Sequence, residues 1–175
     1  MTLDVVKAAL LLLLAAVAQL TILNPLAAFD GPADLVLCVL VAIALLRGAA
    51  FGALAGFWAG LVIDTAALGT LGLTSLLLVL VGYAVGWFGE GTSVRGSQLA
   101  RVGIATVSAS VVFFIGAALV TVLLDDPIAL GSSLVRAFVP TLLLNLLIVY
   151  PIFLLVRKLF PVPVPTAREV VAAAD

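Results

Sequence analysis

The stretch Gly48-Ala-Ala-Phe-Gly52-Ala-Leu-Ala-Gly56-Phe-Trp-Ala-Gly60-Leu-Val-Ile-Asp64 is the most informative in the chain. It places a glycine at every fourth position and a carboxylate four residues after the last glycine. Glycine destabilises a helix in water by about 1 kcal/mol relative to alanine. In a bilayer, small residues at this spacing allow helices to approach closely, because packing drives helix association there. This glycine stripe therefore indicates a membrane helix that packs tightly against another helix.

The composition also indicates a membrane protein. Hydrophobic residues make up 65% of the 175 residues, charged residues make up 10%, and the mean hydropathy is +1.41. A soluble domain carries about 25% charged residues. The net charge of −1, without a basic patch, argues against a nucleic-acid partner. The sequence has no histidine and one cysteine, which removes His/Cys metal sites and the usual histidine-activated nucleophiles. We therefore expect neither enzymatic activity nor a cofactor.

Short polar segments divide the apolar sequence into six stretches, which predicts an all-α, polytopic helical bundle with six membrane spans. The first apolar run is longer than the core of a cleaved signal peptide, so we expect it to be retained as a span. No connection is long enough for a soluble domain, so residues 1–160 are predicted to form one transmembrane domain, with a proline-rich cytoplasmic tail at 161–175. The predicted spans lie near residues 5–24, 33–46, 48–63, 71–88, 102–124 and 138–156.

The second and third spans are short for a bilayer. They would measure about 21 and 24 Å, whereas the hydrocarbon core is about 30 Å thick. Either they form one kinked or re-entrant hairpin, or both cross a locally thinned bilayer with Arg47 reaching the surface. We favour two spans, because basic residues then lie on alternate connections, for example at Lys7, Arg47 and Arg95. By the positive-inside rule, this pattern places both termini in the cytoplasm.

The stripe itself is the predicted site of helix packing and partner contact. The residues assigned to it are Gly48, Gly52, Gly56, Gly60 and Asp64. The spacing suits a right-handed crossing, but the partner helix can belong to this chain or to another protein. Asp64 either marks the outer end of the third span or takes part in transport chemistry.

Secondary packing is predicted in two later spans. Gly82 and Gly86 form another pair of small residues at four-residue spacing. Asn145 lies between Pro140 and Pro151 in the sixth span, where its side chain can hydrogen-bond to another helix. The prolines kink this span, which either shapes a pocket or fits the helix to the bundle.

Four motifs lie between residues 31 and 90 of the sequence. They are Pro32-Ala-Asp34-Leu-Val-Leu, Gly56-Phe-Trp-Ala-Gly60-Leu-Val-Ile-Asp64, Leu71-Gly72-Leu and Gly82-Tyr83. These motifs resemble those of the MreD family of rod shape-determining proteins, which are small bacterial inner-membrane proteins of five or six spans.

The resemblance implies a non-enzymatic scaffold of the cell-elongation machinery in the bacterial inner membrane. Such a scaffold binds an MreC-like protein and, through it, MreB, RodA and a penicillin-binding protein, and it helps to position peptidoglycan synthesis. The overall shape is expected to be similar to that of the substrate-binding subunits of energy-coupling-factor transporters, although fold alone does not establish function. The alternative is therefore a substrate-binding subunit of a vitamin-type transporter, with a cavity near Asp64 and the sixth span.

Overall fold

The computed structural model describes residues 2–23, 34–66, 71–91, 97–123 and 132–160, and the regular structure in these ranges is helical. The prediction of an all-α polytopic bundle is confirmed. Five of the helices in these ranges are long and apolar enough to cross a membrane, and α2 is shorter. The predicted tail at 161–175 lies outside the described residues. The helices are α1 (Thr2–Ala18, continued by a π-helical segment, Gln19–Leu23), α2 (Leu35–Arg47), α3 (Ala49–Ala66), α4 (Leu73–Gly91), α5 (Gln98–Leu123) and α6 (Ser132–Leu159).

Helix α2 is the centre of the bundle. It contacts each of the other five helices, and every residue from Val36 to Ala44 is buried. A helix that is apolar on all sides is buried either in lipid or inside the protein, and this one lies inside the protein. Cys38 is part of this core, and its Sγ donates to the carbonyl oxygen of Asn145 at 3.6 Å. The short second span of the sequence is thus a helix surrounded by protein.

A single residue, Gly48, separates α2 from α3. Its φ of +86° lies in the left-handed region, which glycine adopts without steric cost. A Cβ at this position would lie 2.2 Å from Oε1 of Glu90. The same Oε1 accepts a hydrogen bond from the backbone N–H of Ala49 at 2.8 Å, at the first residue of α3. The turn therefore favours glycine, and a side chain here would also displace the Glu90 carboxylate from this hydrogen bond.

At one end of the bundle, charged side chains make contacts between different helices. Lys7 near the start of α1 reaches the last turn of α6, so the first and last described residues lie at the same end. Basic residues from alternate connections therefore meet here. The contacts are Arg47 to Asp4 (3.1 Å), Lys7 to the Leu159 carbonyl (3.4 Å), Arg101 to the Gly89 carbonyl (3.2 Å) and Arg157 to Gln98 (2.8 Å).

Candidate functional site: a glycine interface and a polar helix cap

The glycines of the stripe face α4 of the same chain. A Cβ added at Gly56 would lie 2.2 Å from the carbonyl oxygen of Leu78, and one at Gly60 would lie 2.1 Å from Cα of Ser75. Both distances are far shorter than ordinary van der Waals contact, and the atoms met are backbone atoms. The sequence left open whether the stripe packs inside the chain or against another protein, and the structure shows that it packs inside.

The interface is reciprocal, because α4 contributes glycines of its own. A Cβ at Gly52 would lie 2.4 Å from the carbonyl oxygen of Gly82, and a Cβ at Gly82 would lie 2.2 Å from the carbonyl oxygen of Gly52. At Gly86 an added Cβ would lie 2.5 Å from Cα of Ala49. The two helices therefore touch backbone to backbone, as small residues at four-residue spacing permit in a bilayer. A partner protein would have to displace α4 to reach these glycines.

Asp64 lies near the end of α3 and hydrogen-bonds to the start of α4. Its side chain is 4% exposed, and its Oδ2 accepts hydrogen bonds from the backbone N–H groups of Gly72 (2.8 Å) and Ser75 (3.4 Å). These groups lie at the start of α4, where N–H groups lack partners within the helix and a negative charge is favourable. The structure thus gives Asp64 a local role as a helix cap. Among the described residues, no group of three or more His, Cys, Asp or Glu side chains is placed to hold a metal ion.

Asn145 belongs to a second cap, at the start of α2. Its Oδ1 accepts a hydrogen bond from the backbone N–H of Asp34 at 2.7 Å. Asp34 in turn caps α2, since its Oδ1 accepts from the N–H of Leu37 at 3.0 Å. Gln19 completes the arrangement, because its Oε1 accepts from the N–H of Val36 at 3.0 Å. Side chains from the end of α1 and from α6 therefore hold the beginning of the central helix.

The sequence predicted a packing role for Asn145 but not the capping roles of Asp34 and Gln19. The signal for Asp34 was present, because an aspartate directly before an apolar run is a typical helix N-cap. The signal for Gln19 was absent, since its contact with Val36 depends on how α1 packs beside α2. Asn145 and Asp64 lie in separate caps and share no hydrogen-bond partner among the described residues.

The helical bundle and its glycine interface define a polytopic, all-α membrane protein. The family model described as rod shape-determining protein MreD matches residues 1–162. The chain therefore belongs to the MreD family, as its motifs predicted. A search of curated proteins found no match to this chain, and a search of solved structures found none either.

Proposed function

We propose that this protein is a non-enzymatic scaffold of the bacterial cell-elongation complex, in which it binds the membrane helix of an MreC-like partner. The observation that carries the proposal is the family match over residues 1–162, which connects the chain to rod shape determination. Through the MreC-like partner, the scaffold would connect to MreB, RodA and a penicillin-binding protein and help to position peptidoglycan synthesis. The end of the bundle that holds Lys7 and Arg157 is the cytoplasmic end in this proposal, since basic residues favour that side.

The structure supports docking on the outer surface of the bundle. The glycines at the centre of the stripe are buried between α3 and α4, so they hold the bundle together and are covered by the chain itself. The outer faces of the surrounding helices carry large apolar side chains that would contact lipid or a partner helix. Examples, one from each of these helices, are Leu14 (57% exposed), Leu54 (47%), Leu80 (52%), Ile115 (60%) and Leu147 (73%).

Site-specific photo-crosslinking tests this proposal at those five positions. A photoreactive amino acid would replace one residue at a time in the full chain, co-expressed in membranes with an MreC-like protein. Because a single partner helix covers a limited arc of the bundle, we expect crosslinks from one or two neighbouring helices and none from the others. Absence of a partner crosslink at all five positions would overturn the proposal. The control is an unrelated single-span membrane protein expressed at the same level, which should give no crosslink.

A second experiment separates docking from folding at the stripe. Gly56→Leu should reduce co-purification of the MreC-like partner only together with the folded fraction, because the new side chain would clash with the backbone of α4. The matched control is Gly91→Leu at the end of α4, an exposed position where no atom lies within 4 Å of an added Cβ. If the Gly56 variant melts like the wild type and still loses the partner, the stripe itself is the docking surface and the outer-face proposal fails.

A further inference from the structure

A cavity lies beside the cap of α2, between α5, α6 and the end of α1. Its volume is about 230 Å³. Three phenylalanines line it, Phe113, Phe114 and Phe138, and the rings of the last two lie 4.6 Å apart between centroids. An apolar cavity of about 150 Å³ is large enough to bind benzene. This cavity therefore has room for a molecule with an aromatic ring or a short aliphatic body.

Two buried polar groups in the cavity wall lack hydrogen-bond partners. They are Nδ2 of Asn145 and Oγ of Ser110, on residues that are 1% and 6% exposed. Buried polar groups in proteins are almost always hydrogen-bonded, and exceptions point to a function or to a bound molecule. The other half of the Asn145 amide is already used, since its Oδ1 accepts from Asp34. A polar group on a molecule bound in the cavity would supply hydrogen-bond partners for the Asn145 Nδ2 donor and the Ser110 hydroxyl.

The charge of the side chains that line the cavity limits which polar group the bound molecule can carry. Asp34 also lines the cavity, and none of the described residues that line it is basic. Among the lining residues that the structure describes, an anion would meet an acidic side chain and no compensating cation, which is unfavourable in a buried site. A hydroxyl group fits better, because it can accept a hydrogen bond from Asn145 and donate one to Asp34 or Ser110.

We propose that this cavity is a binding site for a small amphiphile that carries a hydroxyl group. Its apolar body lies against the three phenylalanine rings, and its hydroxyl lies among Asn145, Ser110 and Asp34. None of the described lining residues belongs to α3 or α4, so the site is separate from the glycine interface. The proposal does not depend on the scaffold function, and the two can fail independently.

Binding of 4-fluorobenzyl alcohol to the purified full chain in detergent micelles tests this proposal. Fluorine NMR of the probe would be recorded against increasing protein, with empty micelles as the reference for partitioning into detergent. We expect a saturable change of chemical shift and line width with the wild type. The two comparison probes are 4-fluorotoluene, which lacks the hydroxyl, and 4-fluorobenzoate, which is an anion. The toluene should bind at least fivefold more weakly, and the benzoate should not bind.

Variants at Ser110 localise the binding. Ser110→Ala removes one hydrogen-bonding group and should raise the Kd about fivefold, the effect of one neutral hydrogen bond. Ser110→Phe fills the cavity and should abolish saturable binding. The matched control is Ser108→Ala on the same helix, which is exposed and does not line this cavity, so its Kd should equal that of the wild type. Thermal unfolding of each variant, followed by circular dichroism, establishes that it is folded.

Each outcome decides the proposal. Saturable binding that is weakened by Ser110→Ala, lost in Ser110→Phe and unchanged in Ser108→Ala supports it. Absence of saturable binding to the wild type overturns the proposal. Equal binding to a folded Ser110→Phe variant places the probe elsewhere and overturns it as well. Equal affinity for the toluene and the alcohol overturns the assignment of a hydroxyl ligand. If Ser110→Phe does not fold, a Kd in Ser110→Ala equal to that of the wild type overturns the site.

Discussion

Two pairs of neighbouring helices pack in different ways, one through direct backbone contact and the other beside a cavity. Between α3 and α4, glycines at positions such as Gly56 and Gly82 remove the side chains, and the two backbones meet directly. Beside α5 and α6, phenylalanines and polar side chains line a cavity of about 230 Å³. Close packing gives the first pair its stability, since van der Waals contact is a main source of helix association in a bilayer. The second pair instead borders a space lined in part by polar groups without hydrogen-bond partners.

The largest expected effect comes from adding one methyl group to the close pair. Gly56→Ala should lower the free energy of unfolding by about 3 kcal/mol, at the upper end of the range for overpacking, because the backbone of Leu78 cannot yield as a side chain can. The matched control is Gly103→Ala on α5, where the added Cβ would lie 3.8 Å from the nearest atom, in the side chain of Leu146. That variant should keep its stability or gain up to about 1 kcal/mol from helix propensity. Thermal or denaturant unfolding in detergent measures both, and equal effects would contradict the assigned interface.

A smaller effect is expected at the open pair when its polar contact is removed. Asn145→Leu should cost about 1–3 kcal/mol, because the partly buried N–H of Asp34 loses its acceptor. Leu147→Ala on the same helix is the control, since that side chain is 73% exposed and faces away from the bundle. Unfolding under the same conditions compares the two variants. A loss for Asn145→Leu no larger than that for the control would show that this hydrogen bond does not support α2.

Variants of Asp64 test whether the packing of α3 against α4 depends on the cap at the start of α4. Asp64→Ala removes the acceptor for Gly72 and Ser75 and should cost about 1 kcal/mol, the usual value for a helix cap. Asp64→Asn keeps an acceptor oxygen and should cost less than half as much. Equal losses in the two variants, measured by unfolding, would show that the negative charge matters more than the hydrogen bonds.

The smallest effect is expected at the cavity itself. Ser110→Ala should change the free energy of unfolding by no more than about 0.5 kcal/mol, because its buried hydroxyl has no partner to lose. Thr106→Ala, one turn earlier on α5, removes a buried hydroxyl that donates to the carbonyl of Val102 at 2.8 Å and serves as the comparison. A large loss of stability in the Ser110 variant alone would mean that its hydroxyl already supports the fold.

The sequence was a good guide where a local rule applied. The hydropathy predicted a polytopic helical protein, and the Arg47-Gly48 break coincides with the end of α2. The four-residue spacing of glycine predicted close helix packing, and the motifs around Asp64 indicated the MreD family. Each of these signals resides in a short segment, so no knowledge of distant residues was needed.

The tertiary structure decided which helix fills each surface. Glycine spacing does not distinguish a helix of the same chain from a partner, since both offer the same van der Waals contact. Likewise, the short α2 looked like a span of a thinned bilayer, but five surrounding helices bury it. The cap formed by Gln19 and Asn145 joins residues that are far apart in the chain, since Asn145 and Asp34 have a sequence separation of 111. The sequence by itself therefore determined that the helices form and pack closely. The three-dimensional arrangement determined their partners, because packing depends on the shapes of whole surfaces.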